Sequence, residues 1–157
     1  MKKFSLTDLL IFIVSAELTG AVSALLSGSF SSLYAEIRNP PLSPPGWVFP
    51  VVWTLLYALM GLGAYLVFRN EDFGTERSTA LGIYVIQLGV NFLWSIFFFR
   101  FRLFGVAAFT ALILAVLVAA MILSFRKISR TAAVLNIPYL LWSVFAAYLA
   151  FGVWILN

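Results

Sequence analysis

Long apolar runs separated by short polar stretches dominate this chain. Five of them, at 9–30, 47–68, 79–99, 104–125 and 132–156, each reach the roughly 20 residues a helix needs to cross a bilayer. Four carry no charge, and the first carries only Glu17. A chain in lipid must satisfy its own backbone hydrogen bonds, so it spans as helices or as a closed barrel. Barrel strands alternate apolar and polar positions, whereas these runs are continuously apolar. The pattern predicts an all-α integral membrane bundle, a single domain over 1–157. Its helices should lie near 6–30, 46–69, 78–99, 104–126 and 131–156, with a loop at 31–45.

That loop is the one connection of any length. Pro40, Pro41, Pro44 and Pro45 fix φ and hold the residues before them extended. The second half should therefore be stiff and non-helical, a lid returning over the bundle mouth. The other connections are short and polar, making successive helices antiparallel neighbours. Pro50 falls in the first turn of the second helix, and Pro138 should kink the fifth or start it late. Small residues recur at every fourth position as Ala16, Gly20, Ala24 and Gly28, and again as Ala107, Ala111, Ala115 and Ala119. Such stripes let helices approach closely in lipid, within one chain or between two copies.

Composition strengthens the membrane reading. Hydrophobic residues make up 63% of the chain, against about 45–50% in soluble domains, and mean hydropathy is +1.04. The net charge of +4 does not imply a nucleic-acid partner, because the basic residues sit at the ends of the apolar runs. Lys2, Lys3, Arg69, Arg77, Arg126, Lys127 and Arg130 fall on the N-terminal side; Arg38, Arg100 and Arg102 fall on the other. The positive-inside rule then puts the N-terminus in the cytoplasm. Lys2 and Lys3 precede an apolar run too long for a signal peptide and without a cleavage site, so that run is read as the first helix.

Cysteine and histidine are absent. That excludes disulfides, thiol chemistry, the usual zinc sites, Ser-His triads and the two commonest haem ligands. No paired carboxylates or glycine-rich phosphate loop appear, so hydrolytic and ATP-driven chemistry have no residues to run on. No cofactor is required and no metal site is expected.

Polar and aromatic residues inside the spans carry what chemistry there is. Glu17, Gln87, Asn91 and Asn136 are costly in lipid unless paired or lining a cavity. Glu17 is either a protonated donor in the interior or paired with a neighbouring helix. Gln87, Asn91 and Trp94 follow i, i+4, i+7 spacing and share one helical face. Trp47, Trp53 and Tyr57, and also Tyr139, Trp142 and Ala146, can point at the same interior. Trp47 and Trp154 lie near span ends, as interfacial residues do; Trp53, Trp94 and Trp142 lie deeper. A cavity walled by these rings suits a flat, hydrophobic, aromatic ligand.

Three segments resemble the TspO/MBR family, the translocator, peripheral-type benzodiazepine receptor or tryptophan-rich sensory proteins. The first joins Leu33-Tyr34, Pro40-Pro41 and Pro44-Pro45-Gly46-Trp47 to Val52-Trp53-Thr54-Leu55-Leu56-Tyr57. The second is Gln87-Leu88-Gly89-Val90-Asn91-Phe92-Leu93-Trp94, and the third Pro138-Tyr139-Leu140-Leu141-Trp142-Ser143-Val144-Phe145-Ala146. The resemblance implies a five-helix bundle, usually a homodimer, whose ligand pocket is closed by the first loop. It also implies binding of porphyrins such as protoporphyrin IX, of isoquinoline carboxamides and benzodiazepines, and in some members of cholesterol. By position the pocket would include Tyr34, Trp47, Trp53, Asn91, Trp94, Trp142 and Ala146. Trp53 and Trp142 match tryptophans linked in some bacterial members to light-dependent porphyrin breakdown, and would be the catalytic candidates of a degrading enzyme.

The chain departs from the family pattern at Leu33 and Leu42, where tryptophan is usual, at Asn39 for lysine and at Ala150 for asparagine. The family's C-terminal sterol pattern is missing, since no basic residue follows Tyr148; Leu62, Tyr65 and Arg69 satisfy its loose form on the second helix. The expected function is porphyrin binding for sequestration, transport or stress-linked sensing, in a bacterial plasma membrane rather than a mitochondrial one. Its site comprises Tyr34, Arg38, Trp47, Trp53, Tyr57, Asn91, Trp94, Tyr139, Trp142 and Ala146, with Arg38 pairing a ligand carboxylate at the mouth. The alternatives are a light-dependent porphyrin-degrading enzyme and a secondary transporter of a small hydrophobic substrate.

Overall fold

Each apolar run folds as a helix in a computed structural model that describes residues 3–157; Lys2, counted above with the N-terminal cations, lies outside the described residues. Helix α1 covers Leu6–Ser27, and the Ser5 side chain accepts a hydrogen bond from the Asp8 N–H at its start. Asp8 in the first turn complements the helix dipole. α1 stops three residues short of the expected end because Gly28 turns the backbone to φ 87°, a conformation that costs glycine little.

The lid therefore begins as a helix, α2 (Phe30–Glu36), within the stretch that the sequence predicts as a loop. The Phe30 and Tyr34 rings stack one turn apart, 5.3 Å between centroids, and favour that turn. Beyond Ile37 the proline-rich half is non-helical, as its sequence predicts. It is held down at several points. Tyr34 donates its hydroxyl proton to the Pro44 carbonyl, and Tyr148 donates to the Pro41 carbonyl at 2.8 Å. Pro40 is buried on Gly152 so tightly that a Cβ there would lie 2.5 Å from the proline ring. The Asn157 amide holds both the N–H and the C=O of Arg38, at 2.9 and 3.1 Å.

Helix α3 (Val48–Phe68) follows with Pro50 in its first turn, and a single 3₁₀ turn (Glu71–Phe73) leads to α4 (Gly74–Ser95). α4 starts four residues earlier than its apolar run suggests and ends in a π-helical turn (Ile96–Arg100). α5 covers Phe104–Ile128. The last span is divided: α6 (Arg130–Leu135) and α7 (Ile137–Leu156) meet at Asn136, with Pro138 in the first turn of α7. Pro138 thus marks an interruption of the last span, with α7 starting anew just before it.

Around the bundle the order is α1, α3, α6–α7, α5, α4 and back to α1. Each successive pair of spans touches, but α3 and α4 touch least, because α1 packs between them. The α5 stripe is largely spent on intrachain packing: Ala107 and Ala111 are buried in one cluster with Ala147, Ala150 and Val153 of α7, and Ala115 is buried as well. On the other side α1 presses onto Gly61 of α3, where a Cβ would stand 2.6 Å from the Ile13 Cα. The described cations divide between the two ends as the sequence predicts. At the lid end Arg102 pairs with Glu36 at 2.9 Å, and Arg100 donates to the Leu26 carbonyl at 3.0 Å.

Candidate functional site

Two hollows open at the lid end of the bundle. The larger, of about 320 Å³, lies between α1 and α3 and reaches the end of α4. Its α1 wall is small and partly polar: Glu17, Gly20, Ala21, Ala24, Ser27 and Gly28. Facing it are Phe49, Pro50, Trp53, Thr54 and Tyr57 of α3, with Trp94, Ser95 and Phe99 at the back. The smaller, about 40 Å³, holds a few waters at most and lies beneath the lid against α7. Tyr34, Asn39, Pro40 and Ser43 cover it, and Ala146, Leu149, Ala150 and Val153 floor it.

Phe30, Phe49, Trp94 and Phe99 line both hollows and so partition them. Their rings hold one another edge-on or tilted, with centroids 5.2 Å apart for Phe30–Phe49 and Phe30–Phe99 and 5.9 Å for Trp94–Phe99. Such contacts are each worth about 0.5–1.5 kcal/mol beyond area burial. The partition is a packed wall made of rings that pivot on two torsions.

The expected site residues divide accordingly. Trp53, Tyr57 and Trp94 line the large hollow; Tyr34, Trp94 and Ala146 line the small one. The Trp53 and Trp94 rings lie 6.5 Å apart at 38°. Asn91 and Tyr139 are buried behind them and engaged with protein. The Tyr139 hydroxyl donates to Gln87 Oε1 at 2.6 Å and accepts from Asn91 Nδ2 at 3.2 Å. This triad fixes α4 to α7 beneath Trp53, whose ring stands 6.2 Å from that of Tyr139. Trp142 lines neither hollow; its ring packs on Phe49 at 5.8 Å. Trp47 is 68% exposed at the start of α3, as an interfacial residue would be. Arg38 is exposed on the lid.

Sequence reasoning missed Phe30, Phe49 and Phe99. Phe49 had a signal, since Phe49, Trp53 and Tyr57 recur every fourth residue on α3. Unsatisfied donors mark the same region. The Nε1–H groups of Trp94 and Trp142 are buried without an acceptor. On the lid, burial pushes the Tyr34 hydroxyl above its ordinary range, with its Ser43 hydrogen bond opposing, so it stays protonated as the donor to Pro44.

Comparison with known proteins matches residues 10–155 to the TspO/MBR family model. The chain belongs to the TspO/MBR family. It is 38% identical to the translocator protein of Ovis aries over 122 residues, covering 77% of this chain and 72% of the relative. Identity to the tryptophan-rich protein TspO of Archaeoglobus fulgidus is 36% over 139 residues, 87% of this chain and 88% of the relative. For the tryptophan-rich sensory protein of Cereibacter sphaeroides it is 37% over 124 residues, 79% and 76%. With five helices long and apolar enough to span, this TspO/MBR chain is a multi-pass membrane protein.

The departures from the TspO/MBR pattern now have places. Leu33 is buried and Ala150 floors the small hollow. Leu42 is 82% exposed with φ 68°, in the left-handed region unfavourable to a branched side chain. Asn39 turns its amide back onto the Tyr34 carbonyl at 3.1 Å, capping the lid helix. The loose sterol pattern on α3 centres on Tyr65, which is buried and accepts the Ser5 N–H at 2.9 Å. Its ring packs on Phe4 and on Phe12 of α1.

Proposed function

We propose that this TspO/MBR protein binds a porphyrin of the protoporphyrin type, or a similar flat aromatic molecule, for sequestration, transport or stress-linked sensing. The observation that carries the reading is Trp94. It walls both hollows, lies beside Trp53, and has a buried N–H with no acceptor. A flat guest stacks on the face of that indole, and an acceptor substituent at the guest's rim reaches the in-plane N–H once the indole turns. The large hollow alone stands at the lower end of the roughly 300–1,000 Å³ usual for small-molecule sites. Pivoting Phe30 or Phe49 would join the small hollow to it. Glu17 at the α1 wall repels acidic groups, so ligand carboxylates turn toward the lid end, where Arg38 is exposed and Arg100 lies against the Leu26 carbonyl.

A titration of protoporphyrin IX in detergent, followed at its own absorption band, tests the reading. Binding should saturate, and Trp94→Phe should weaken it about tenfold, the sum of a lost ring contact and a lost hydrogen bond. Trp142→Phe, behind Phe49, should weaken it less. Absence of a saturable component sinks the proposal.

A further inference from the structure

Glu17 is the twelfth residue of α1, roughly 16 Å along the helix axis and therefore near the bilayer midplane. A carboxylate at that depth is costly without a partner. Among the described residues none hydrogen-bonds or ion-pairs with it, and no basic side chain lies near the middle of any span. Its surroundings are those of a receptor for a cation. It lies on the wall of the large hollow, opposite the Trp53 and Tyr57 rings, whose faces attract positive charge. Gly20 lets the Tyr57 ring rest on α1 beside it, where a Cβ would stand 2.2 Å from the ring edge.

We infer that the large hollow is a binding site for a protonated organic amine on a compact apolar or aromatic body, with Glu17 as the counter-ion. The lining is mostly apolar and aromatic around a single carboxylate, which suits an organic cation better than a hard metal ion that needs a shell of oxygens. An ammonium group needs one acceptor and gains from the rings. Its apolar body fits the about 320 Å³ beyond Glu17. The hollow opens between Ala21 and Ala24 on α1 and Pro50 and Thr54 on α3, all exposed on the flank of the bundle. An amphiphilic amine dissolved in the bilayer can therefore enter sideways. The amine would occupy the large hollow that the porphyrin reading also uses, but its affinity rests on Glu17, which that reading does not make a ligand contact.

The full chain in dodecyl maltoside, titrated with phenylbutylamine and with the neutral phenylbutanol at equal detergent concentration, tests this through its tryptophan fluorescence, to which Trp53 and Trp94 on the hollow contribute. The amine should saturate with about tenfold tighter affinity than the alcohol, the scale of one charge-assisted hydrogen bond. Glu17→Gln keeps the shape and should bring the two affinities together. Ala24→Phe keeps the carboxylate, fills the hollow and should abolish saturable amine binding. Equal affinities in the wild type, no amine binding at all, or an amine preference surviving either substitution overturns the inference. A protoporphyrin titration of the same samples is scored separately, so either reading can fail alone.

Discussion

The α5–α7 seam and the α1–α3 seam both rest on small residues, yet one is solid and the other half hollow. On α5 the alanines meet Ala147 and Ala150, small against small, and the backbones close until dispersion contacts are complete. α1 meets two kinds of partner. Before the stripe begins, the α1 backbone at Phe12 and Ile13 lies directly on Gly61, so here the small residue is supplied by α3 and the helices close tightly. Toward the lid the stripe finds Trp53 and Tyr57, whose rings prop the helices apart and leave a cavity. Spacing of small residues marks where backbones are able to approach; the side chain opposite decides whether they do.

The largest effect should come from closing off the tight half. Gly61→Leu drives a side chain into the α1 backbone at Ile13 and should cost about 3 kcal/mol, the upper range for overpacking. A lowered midpoint of thermal unfolding in detergent would report it; an unshifted one would mean that α1 and α3 do not meet there. The two seams can then be set directly against each other. Ala111→Leu, in the filled seam, should lose about 1–3 kcal/mol, whereas Ala24→Leu, facing the cavity, should stay within about 0.5 kcal/mol. Equal losses would erase the contrast. The smallest stability effect belongs to Gly152→Leu, which displaces Pro40 from α7 and frees the lid. Stability should change by less than about 0.5 kcal/mol, while limited proteolysis within 37–46 should quicken several-fold.

The spans were legible because lipid leaves a chain so few ways to satisfy its backbone. The inward face of α4 was legible for a related reason: Gln87 and Asn91 one turn apart cannot both face hydrocarbon, and both are buried. Pro138 announced the interruption before α7, since its missing N–H fits only a first turn. What escaped was the direction of individual rings. Trp142 reads like Trp53 in sequence, but it stands behind Phe49 because α7 meets α3 mainly through α6. Asn91 reads as a ligand contact, but the hydroxyl of Tyr139, 48 residues away, claims it. The helical first half of the lid was hidden as well, since its serines favour turns as readily as helix.

Sharing a wall has a thermodynamic corollary. A guest that turns Phe30, Phe49, Trp94 or Phe99 redraws the neighbouring chamber as well as its own. Occupants on opposite sides must then alter each other's affinity by one common factor, whichever arrives first. Four phenyl and indole groups form that shared boundary, so whatever moves one of them reshapes both hollows at once.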